Sequence, residues 1–295
     1  MSFSSNAKEE ICGLTRSACC RKALLYGMLQ TGHAFSSEGI SLLTEQGGTA
    51  DLYAGLLREI CGVQPAEEPR ESGGRYVYLP LAAHRQQVLA AFGHTGREVT
   101  LRLNRANFEC EDCAAAYLAG VFLACGAITN PENAYHLEFR LPYYTLSRDL
   151  VALMGEMDLR PKQGSRKGSR LLYFKESEQI EDCLTRMGAT GASLELMGVK
   201  MVKDIRNNAN RVVNCESANI DKTVAAAAPQ LEAIRRLRER GTMGLLPQEL
   251  RELAELRWDN PEMSLRELGA ALDPPISRSG VNHRLQRIME FAEDN

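Results

Sequence analysis

The sequence lacks three features that would assign it quickly to a class of protein. Its longest apolar runs, such as Val121–Ala124 and Val224–Ala228, fall far short of a membrane span. The N-terminal stretch lacks the apolar block of a signal peptide. There is no basic excess either, because the formal net charge is −3. We therefore expect a cytoplasmic protein with no membrane partner, in which any surface that binds nucleic acid is local.

Paired metal-binding motifs are also scarce. Cys110-x-x-Cys113 and the adjacent Cys19-Cys20 raise a zinc hypothesis, because zinc favours four soft ligands at short spacings. This spacing covers only one half-site, and no second C-x-x-C or H-x-x-x-H accompanies it. Nine cysteines are an odd number in a chain too large to need disulfide staples. We therefore favour reduced structural thiols over zinc, and predict no metal and no cofactor.

With 295 residues the chain is long enough for two domains. An order of helix, strands, helix, strands, helix occurs twice, over residues of about 17–94 and 112–212, which predicts an α+β domain with an internal pseudo-twofold repeat. The prolines, glycines and serine within Pro65–Gly74 predict a loop there. A helix is predicted over Ala192–Val212, followed by a helical linker over 216–244 that Pro229 should break or kink.

The two repeats are marked by related helices. Leu118-Ala119-Gly120-Val121-Phe122-Leu123-Ala124-Cys125 aligns with Leu25–Gly32, which lies 93 residues earlier. Small residues at Gly120 and Gly27 would let two helices approach closely. This layout resembles the paired helices of LAGLIDADG homing endonucleases, in which an acid at the eighth position binds the catalytic metal. Here that position is Cys125 or Gly32, neither of which suits magnesium, so we predict a scaffold of residues 1–215 that has no catalytic residues and is not an enzyme.

The last part of the chain, residues 245–295, predicts an all-α helix-turn-helix domain. Ser264-Leu265-Arg266-Glu267 is a capping box, and a third helix should begin at Ser277 with Val281, Leu285 and Ile288 facing inward. Pro274–Met289 contains three arginines and no acid, although the rest of this part is acidic. In such domains the N-terminal residues of the second helix of the pair reach base edges. The predicted DNA-binding residues are Ser277, Arg278, Ser279, Asn282, His283, Arg284 and Arg287. A three-helix protein-interaction module is the alternative.

A second basic segment is predicted to form a hairpin over Arg160–Glu176. It would offer either a second DNA surface or merely a solvated turn, and its basic residues are Arg160, Lys162, Arg166, Lys167, Arg170 and Lys175. Farther on, Arg206–Asn219 holds five asparagines and two arginines. These are poor helix formers, so we favour a structural or inter-domain role for this segment over direct contact with nucleic acid.

Several of these segments together resemble the WhiA family of bacterial sporulation and cell-division regulators. The resemblance rests on Cys19–Ala23, Tyr117–Gly120, Lys203–Asn219 and Leu272–Leu285, and it covers almost the whole chain. It implies a LAGLIDADG-like N-terminal domain without nuclease activity and a helix-turn-helix similar to region 4 of sigma factors. It also implies roles in transcription, cell division and chromosome segregation.

The sequence therefore predicts a non-enzymatic, nucleoid-associated transcriptional regulator that binds double-stranded DNA. Other transcription regulators or components of RNA polymerase would be its protein partners. Two alternatives remain open: a metal-dependent endonuclease that uses displaced carboxylates, and an adaptor that touches the transcription machinery but not DNA.

Overall fold

The computed structural model describes residues 2–70, 73–166 and 168–294. The chain forms two compact units, which divide between Lys203 and Asp204. Among the described residues, no helix combines the length and the apolarity needed to cross a membrane.

The first unit repeats one topology. It begins with helix α1, Phe3–Gly13. Its first half then contains α2 Ala18–Thr31, β1 Ala34–Phe35, β2 Ile40–Thr44, α3 Gly47–Cys61, β3 Ala66–Pro69, β4 Arg75–Tyr78 and α4 Ala82–Ala91. Its second half contains α5 Cys113–Cys125, β5 Gly126–Ile128, β6 Leu137–Leu141, α6 Tyr144–Glu156, β7 Lys162–Arg166, β8 Ser169–Phe174 and α7 Ser177–Met187. The sheets have equivalent antiparallel orders, β1-β2-β4-β3 and β5-β6-β8-β7. The predicted α+β repeat is confirmed.

Helices α2 and α5 pack against each other at the centre of this unit. Every residue from Ala23 to Thr31 of α2 and from Ala116 to Leu123 of α5 is buried, as expected for helix segments that are packed on all sides. A buried polar contact also joins the pair, in which the Tyr117 hydroxyl donates to Gln30 Oε1 at 2.7 Å. The two motif helices therefore form the core around which the sheets are arranged.

Two elements of this unit differ from the sequence-based expectation. The predicted loop over Pro65–Gly74 is wrong for Ala66–Pro69, which forms the edge strand β3 paired with β4. An edge strand leaves one side unpaired, which explains how it tolerates Glu67, Glu68 and a terminal proline. Helix α1 was missed, although its buried residues Phe3, Ala7 and Ile11 recur at helical spacing.

Helix α8 spans Thr190–Glu239 and passes from one unit into the next. The prediction that a helix ends at Val212 is therefore wrong, and the Asn-rich segment of residues 206–219 lies within α8 although its residues are poor helix formers. Pro229 lies inside α8 and does not end it; the helix-favouring run Ala225–Ala228 comes directly before it. The N-terminus of α8 is capped by Glu10, whose carboxylate accepts from the backbone N–H groups of Gly191 (2.7 Å) and Ala192 (3.1 Å).

The second unit is entirely helical. After α8 come α9 Gln248–Asp259, α10 Leu265–Ala271 and α11 Arg278–Asp294. Its buried core joins the last turns of α8 to these helices through Ala233, Ile234, Leu237, Leu246, Leu250, Leu253, Ala254, Leu268, Val281, Leu285, Ile288 and Ala292. The end of the predicted linker therefore belongs to this core.

Candidate nucleic-acid interface

Helix α11 presents opposite faces to the core and to solvent. Val281, Leu285 and Ile288 are buried, which confirms the inward stripe predicted from helical spacing. The side chains between them lie outward because they fall on the other side of the helix. Ser277, Arg278, Ser279, Asn282, His283 and Arg287 are all exposed. The predicted residues of this face are thus brought together, with one exception.

The exception is Arg284, which is only half-buried and forms an ion pair with Glu249 of α9. Its Nη2 lies 2.8 Å from Glu249 Oε2. Among the described residues, no ion pair engages Arg278 or Arg287. Arg284 therefore ties α11 to α9, whereas Arg278 and Arg287 keep their charge available to a ligand.

The turn between α10 and α11 is tightly built. The Ile276 N–H donates to the Gly269 carbonyl at 3.0 Å, and a Cβ at Gly269 would overlap the Ile276 carbonyl oxygen. Ser277 Oγ accepts from the Gly280 N–H at 3.2 Å, as a helix-capping serine does. The start of α11 is therefore held rigidly, and Ser277 serves first as its cap.

The start of α10 is held in a comparable way. Ser264 Oγ accepts from the Glu267 N–H at 3.3 Å, and Glu267 Oε2 accepts from the Ser264 N–H at 2.8 Å, so the predicted capping box is confirmed. Arg257 stabilises the loop between α9 and α10, because its side chain is buried and its Nη1 donates to the Met263 carbonyl at 2.6 Å. Burial lowers the pKa of Arg257, and Glu262 partly opposes this shift. Sequence reasoning did not identify this buried arginine.

An open groove of about 560 Å³ lies beside the start of α11. Arg278 and Asn282 line it together with Arg266 of α10 and Lys222 of α8. The buried Arg257 also lines the groove, so four cations converge on one concave surface in a unit that carries an acidic excess elsewhere. Arg266 belongs to the capping-box segment and could have been identified from it. Nothing in the sequence placed Lys222 there, because helix α8 was expected to be interrupted.

The basic hairpin β7–β8 does not present one surface. Lys162 pairs with Tyr173 and Arg166 with Ser169, so these two cations lie on the same sheet face. Arg170 pairs with Ser165 on the opposite face, where its guanidinium lies 4.6 Å from the centre of the Tyr144 ring.

The other basic residues of this segment are distributed differently. Arg160 and Lys175 are exposed outside the two strands, and Lys167 lies outside the described residues. Lys162 is paired with Glu176 at 2.9 Å. Arg140 of β6 pairs with Leu171 and joins the face of Lys162 and Arg166, although sequence reasoning missed it.

The ends of the motif helices carry no acid at the eighth position. Gly32 follows α2, and Cys125 ends α5, where burial raises the pKa of its thiol to about 11. A cation lies at this end of α5: Lys8 Nζ donates to the Leu123 carbonyl at 3.2 Å. Burial lowers the pKa of Lys8, and the nearby Cys125 partly opposes that shift. A partly buried lysine thus lies beside the eighth motif position of α5.

Comparison with known proteins agrees with this two-part architecture. Residues 114–206 match the model of the WhiA LAGLIDADG-like domain, and residues 209–292 match that of the WhiA C-terminal HTH domain. The class of protein is therefore one that joins a LAGLIDADG-like domain to a helix-turn-helix domain. A "Probable cell division protein WhiA" from Clostridium beijerinckii is 36% identical over 310 residues, covering 100% of this chain and 98% of the relative. The chain belongs to the WhiA family, as its motifs predicted.

Further relatives match the whole chain. A protein of the same name from Clostridium botulinum (strain Eklund 17B / Type B) is 37% identical over 311 residues, covering 100% of this chain and 98% of the relative. The crystal structure of full-length DUF199/WhiA from Thermatoga maritima matches with a TM-score of 0.59 at 22% identity, covering 100% of this chain and 99% of that chain. At that identity the likeness concerns the fold alone.

Proposed function

We propose that this protein is a non-enzymatic, sequence-specific binder of double-stranded DNA and that α11 is its recognition helix. The observation that carries the proposal is the acid-free first half of α11, whose exposed Arg278 and Asn282 share a groove with Arg266 and Lys222. A local cluster of positive charge on an acidic unit is what a sequence without a basic excess requires of a DNA-binding surface.

The side chains of this surface suit different parts of the duplex. The Asn282 amide has the donor and the acceptor that recognise an adenine edge, and Arg278 has the two donors that bind the paired acceptors of a guanine edge in the major groove. Ser279 and His283 flank them on the same exposed helix start. Arg287, Arg266 and Lys222 would bind phosphates and set the register of the helix on the groove. Arg284 would act through its ion pair with Glu249, which holds α11 against α9.

The direct test compares the full chain with an Arg278→Ala, Asn282→Ala double variant and an Arg240→Ala control. Arg240 is an exposed arginine of the same unit that lies outside α11. Genome-wide mapping identifies bound fragments, and fluorescence anisotropy then measures affinity for them. The double variant should lose at least about 30-fold in affinity, since each base-reading pair contributes roughly 1–3 kcal/mol, whereas the control should change little.

Two results would contradict this assignment. One is selective DNA binding of undiminished affinity by a chain that lacks residues 243–295. The other is association with the transcription machinery but no salt-sensitive binding to DNA, which would favour the adaptor.

We infer that the LAGLIDADG-like domain is a scaffold without nuclease activity. Cys125 and Gly32 offer no hard oxygen ligand for magnesium, and the nearby Lys8 ammonium would repel a divalent cation. Supercoiled plasmid incubated with the protein and magnesium or manganese should therefore stay intact. A LAGLIDADG endonuclease assayed in a parallel reaction is the positive control. Saturable nicking that co-purifies with the protein would establish the endonuclease alternative instead.

The face that carries Lys162 and Arg166 is proposed as an auxiliary phosphate-binding surface. Both side chains are exposed on one side of the sheet, although Glu176 neutralises part of this charge. A Lys162→Ala, Arg166→Ala variant should weaken binding to all DNA sequences alike and reduce its salt dependence, because phosphate contacts carry no sequence information. An Arg170→Ala variant, altered on the opposite face, is the control.

Regulation of transcription during cell division, sporulation and chromosome segregation is the proposed cellular role. The relatives' name, "Probable cell division protein WhiA", supports the connection with division. In a strain that lacks the gene, the wild-type protein should restore division and follow the nucleoid under the microscope. The Arg278→Ala, Asn282→Ala variant should do neither. Proteins captured with the wild type would reveal whether RNA polymerase components are partners.

A further inference from the structure

Four cysteines from distant parts of the sequence converge at one end of the central helix pair. Cys19 and Cys20 lie in the first turn of α2, Cys113 is the first residue of α5, and Cys110 precedes it. Their four sulfur atoms all lie within 4.8 Å of one another. Among the described residues, no other group of three or more cysteine, histidine or acidic side chains is close enough to hold a metal ion.

The sulfur–sulfur separations identify the kind of site. Cys110 Sγ lies 3.5 Å from the Sγ atoms of Cys19, Cys20 and Cys113. A disulfide would need about 2.05 Å. A single zinc ion with tetrahedral bonds of about 2.3 Å holds its sulfur ligands about 3.8 Å apart. The four sulfurs are thus spaced as ligands of one ion, and none of these four cysteines forms a disulfide.

The surroundings carry positive charge, which suits the negative charge that four zinc-bound thiolates would bring. The first turns of α2 and α5 both carry the partial positive charge of a helix N-terminus, and three of the cysteines lie in those turns. Ser17 Oγ lies 3.3 Å from Cys19 Sγ and can donate to it as an outer-shell partner. Cys20 lines a cavity together with Arg16 and Arg186, whose charges offset that of a four-thiolate site.

We propose that Cys19, Cys20, Cys110 and Cys113 bind one structural zinc ion that joins the N-termini of α2 and α5. Four thiolate ligands leave no open position for a reacting water, so the ion has a structural and not a catalytic role. It ties the start of the first repeat to the start of the second. Cys110-x-x-Cys113 supplies two of the four ligands. The other two are the adjacent Cys19 and Cys20, which lie close to them because α2 packs against α5.

The first test is the metal content of the full chain, purified without chelator under reducing conditions and measured by mass spectrometry of the elements. The wild type should contain one zinc ion per chain. The Cys110→Ser variant should fall to background, and Cys110→His should retain zinc because imidazole is also a zinc ligand. Cys215→Ser, altered at an exposed cysteine outside the cluster, should keep the wild-type zinc content.

A second measurement on the wild-type protein decides the question even if Cys110→Ser does not fold. Replacement of zinc by cobalt should produce the absorption bands of a tetrahedral four-sulfur site, and modification of four thiols should release one zinc ion. Several outcomes would overturn the proposal: a metal-free wild type that is folded, zinc that remains in folded Cys110→Ser, iron in place of zinc, or a disulfide within the cluster of freshly purified protein. None of these outcomes bears on DNA binding by α11.

Discussion

Gly27 of α2 and Gly120 of α5 face each other so closely that neither position has room for a Cβ atom. A Cβ at Gly27 would overlap the carbonyl oxygen of Tyr117, and one at Gly120 would overlap that of Leu24. Both obstacles are backbone atoms, which cannot rotate away as a side chain can. The two glycines thus set the distance between the helices that support both sheets.

Gly120→Ala should therefore destabilise the first unit by about 3 kcal/mol, the upper part of the usual range for overpacking. Gly55→Ala is the matched control, because Gly55 lies within α3 and a Cβ there meets nothing within 4 Å. That variant should be neutral or more stable by up to about 1 kcal/mol, since alanine favours helix. Urea unfolding followed by circular dichroism measures both. Equal stabilities for the two variants would show that the helix pair is not closely packed.

Ser264→Ala should destabilise the second unit by about 1 kcal/mol, because it removes the Ser264 hydroxyl that accepts from the Glu267 N–H in the capping box of α10. Trp258, the sole tryptophan of the sequence, lies in this unit and reports its unfolding by fluorescence. Ser279→Ala is the control: Ser279 is exposed in the first turn of α11 and should affect DNA affinity more than stability. A Ser264→Ala variant as stable as the wild type would contradict the capping role.

Lys222→Ala and Arg266→Ala should each reduce the slope of log DNA affinity against log salt concentration by about 1, which corresponds to the loss of one phosphate contact. Both residues line the groove beside Arg278, but they come from other helices. Affinity should decrease for specific and non-specific DNA alike. Binding titrations over a range of salt concentrations measure the slope. If either variant instead relaxed the choice among base sequences, that residue would be contacting bases and not phosphates.

Asp149→Asn should cost the first unit about 1 kcal/mol at pH 7, a modest value because its partner Arg102 is largely exposed. Burial of Asp149 would raise its pKa, but two hydrogen bonds from Arg102, at 2.7 and 2.8 Å, and one from the Leu103 N–H outweigh it and lower the pKa. A carboxyl with a pKa lower in the folded than in the unfolded chain stabilises the fold above the unfolded value of about 3.9. That contribution is lost as the pH falls through the folded pKa.

Urea unfolding of the wild type and of Asp149→Asn, at several pH values from 7 down to the lowest pH at which both are folded, tests the direction of this pH dependence. The difference between the two proteins should be constant near neutral pH and should shrink once the pH falls below about 4. Asp182→Asn, altered at an exposed carboxylate of the same unit, provides the reference. A difference that stays constant down to acid pH would mean that the charge of Asp149 contributes nothing.

Local pattern accounts for most of what sequence reasoning predicted correctly. The capping box at Ser264, the inward stripe of α11 and the two motif helices all depend on residues within a few turns of one another. One error arose where long-range packing outweighs local preference, because pairing with β4 makes a strand of the polar Ala66–Pro69. The other is in α8, which continues through Pro229 after the helix-favouring run Ala225–Ala228.

The sequence by itself determined the internal repeat, the helix-turn-helix pattern, the absence of acids at the eighth motif positions and the candidate residues of α11. Tertiary structure decided which distant residues meet. It brought Cys19 and Cys20 to Cys110 and Cys113, and Lys222 to Arg278. Spacing along a chain specifies contacts within one helix or hairpin, whereas a site shared between helices requires the close packing of those helices to bring its parts together.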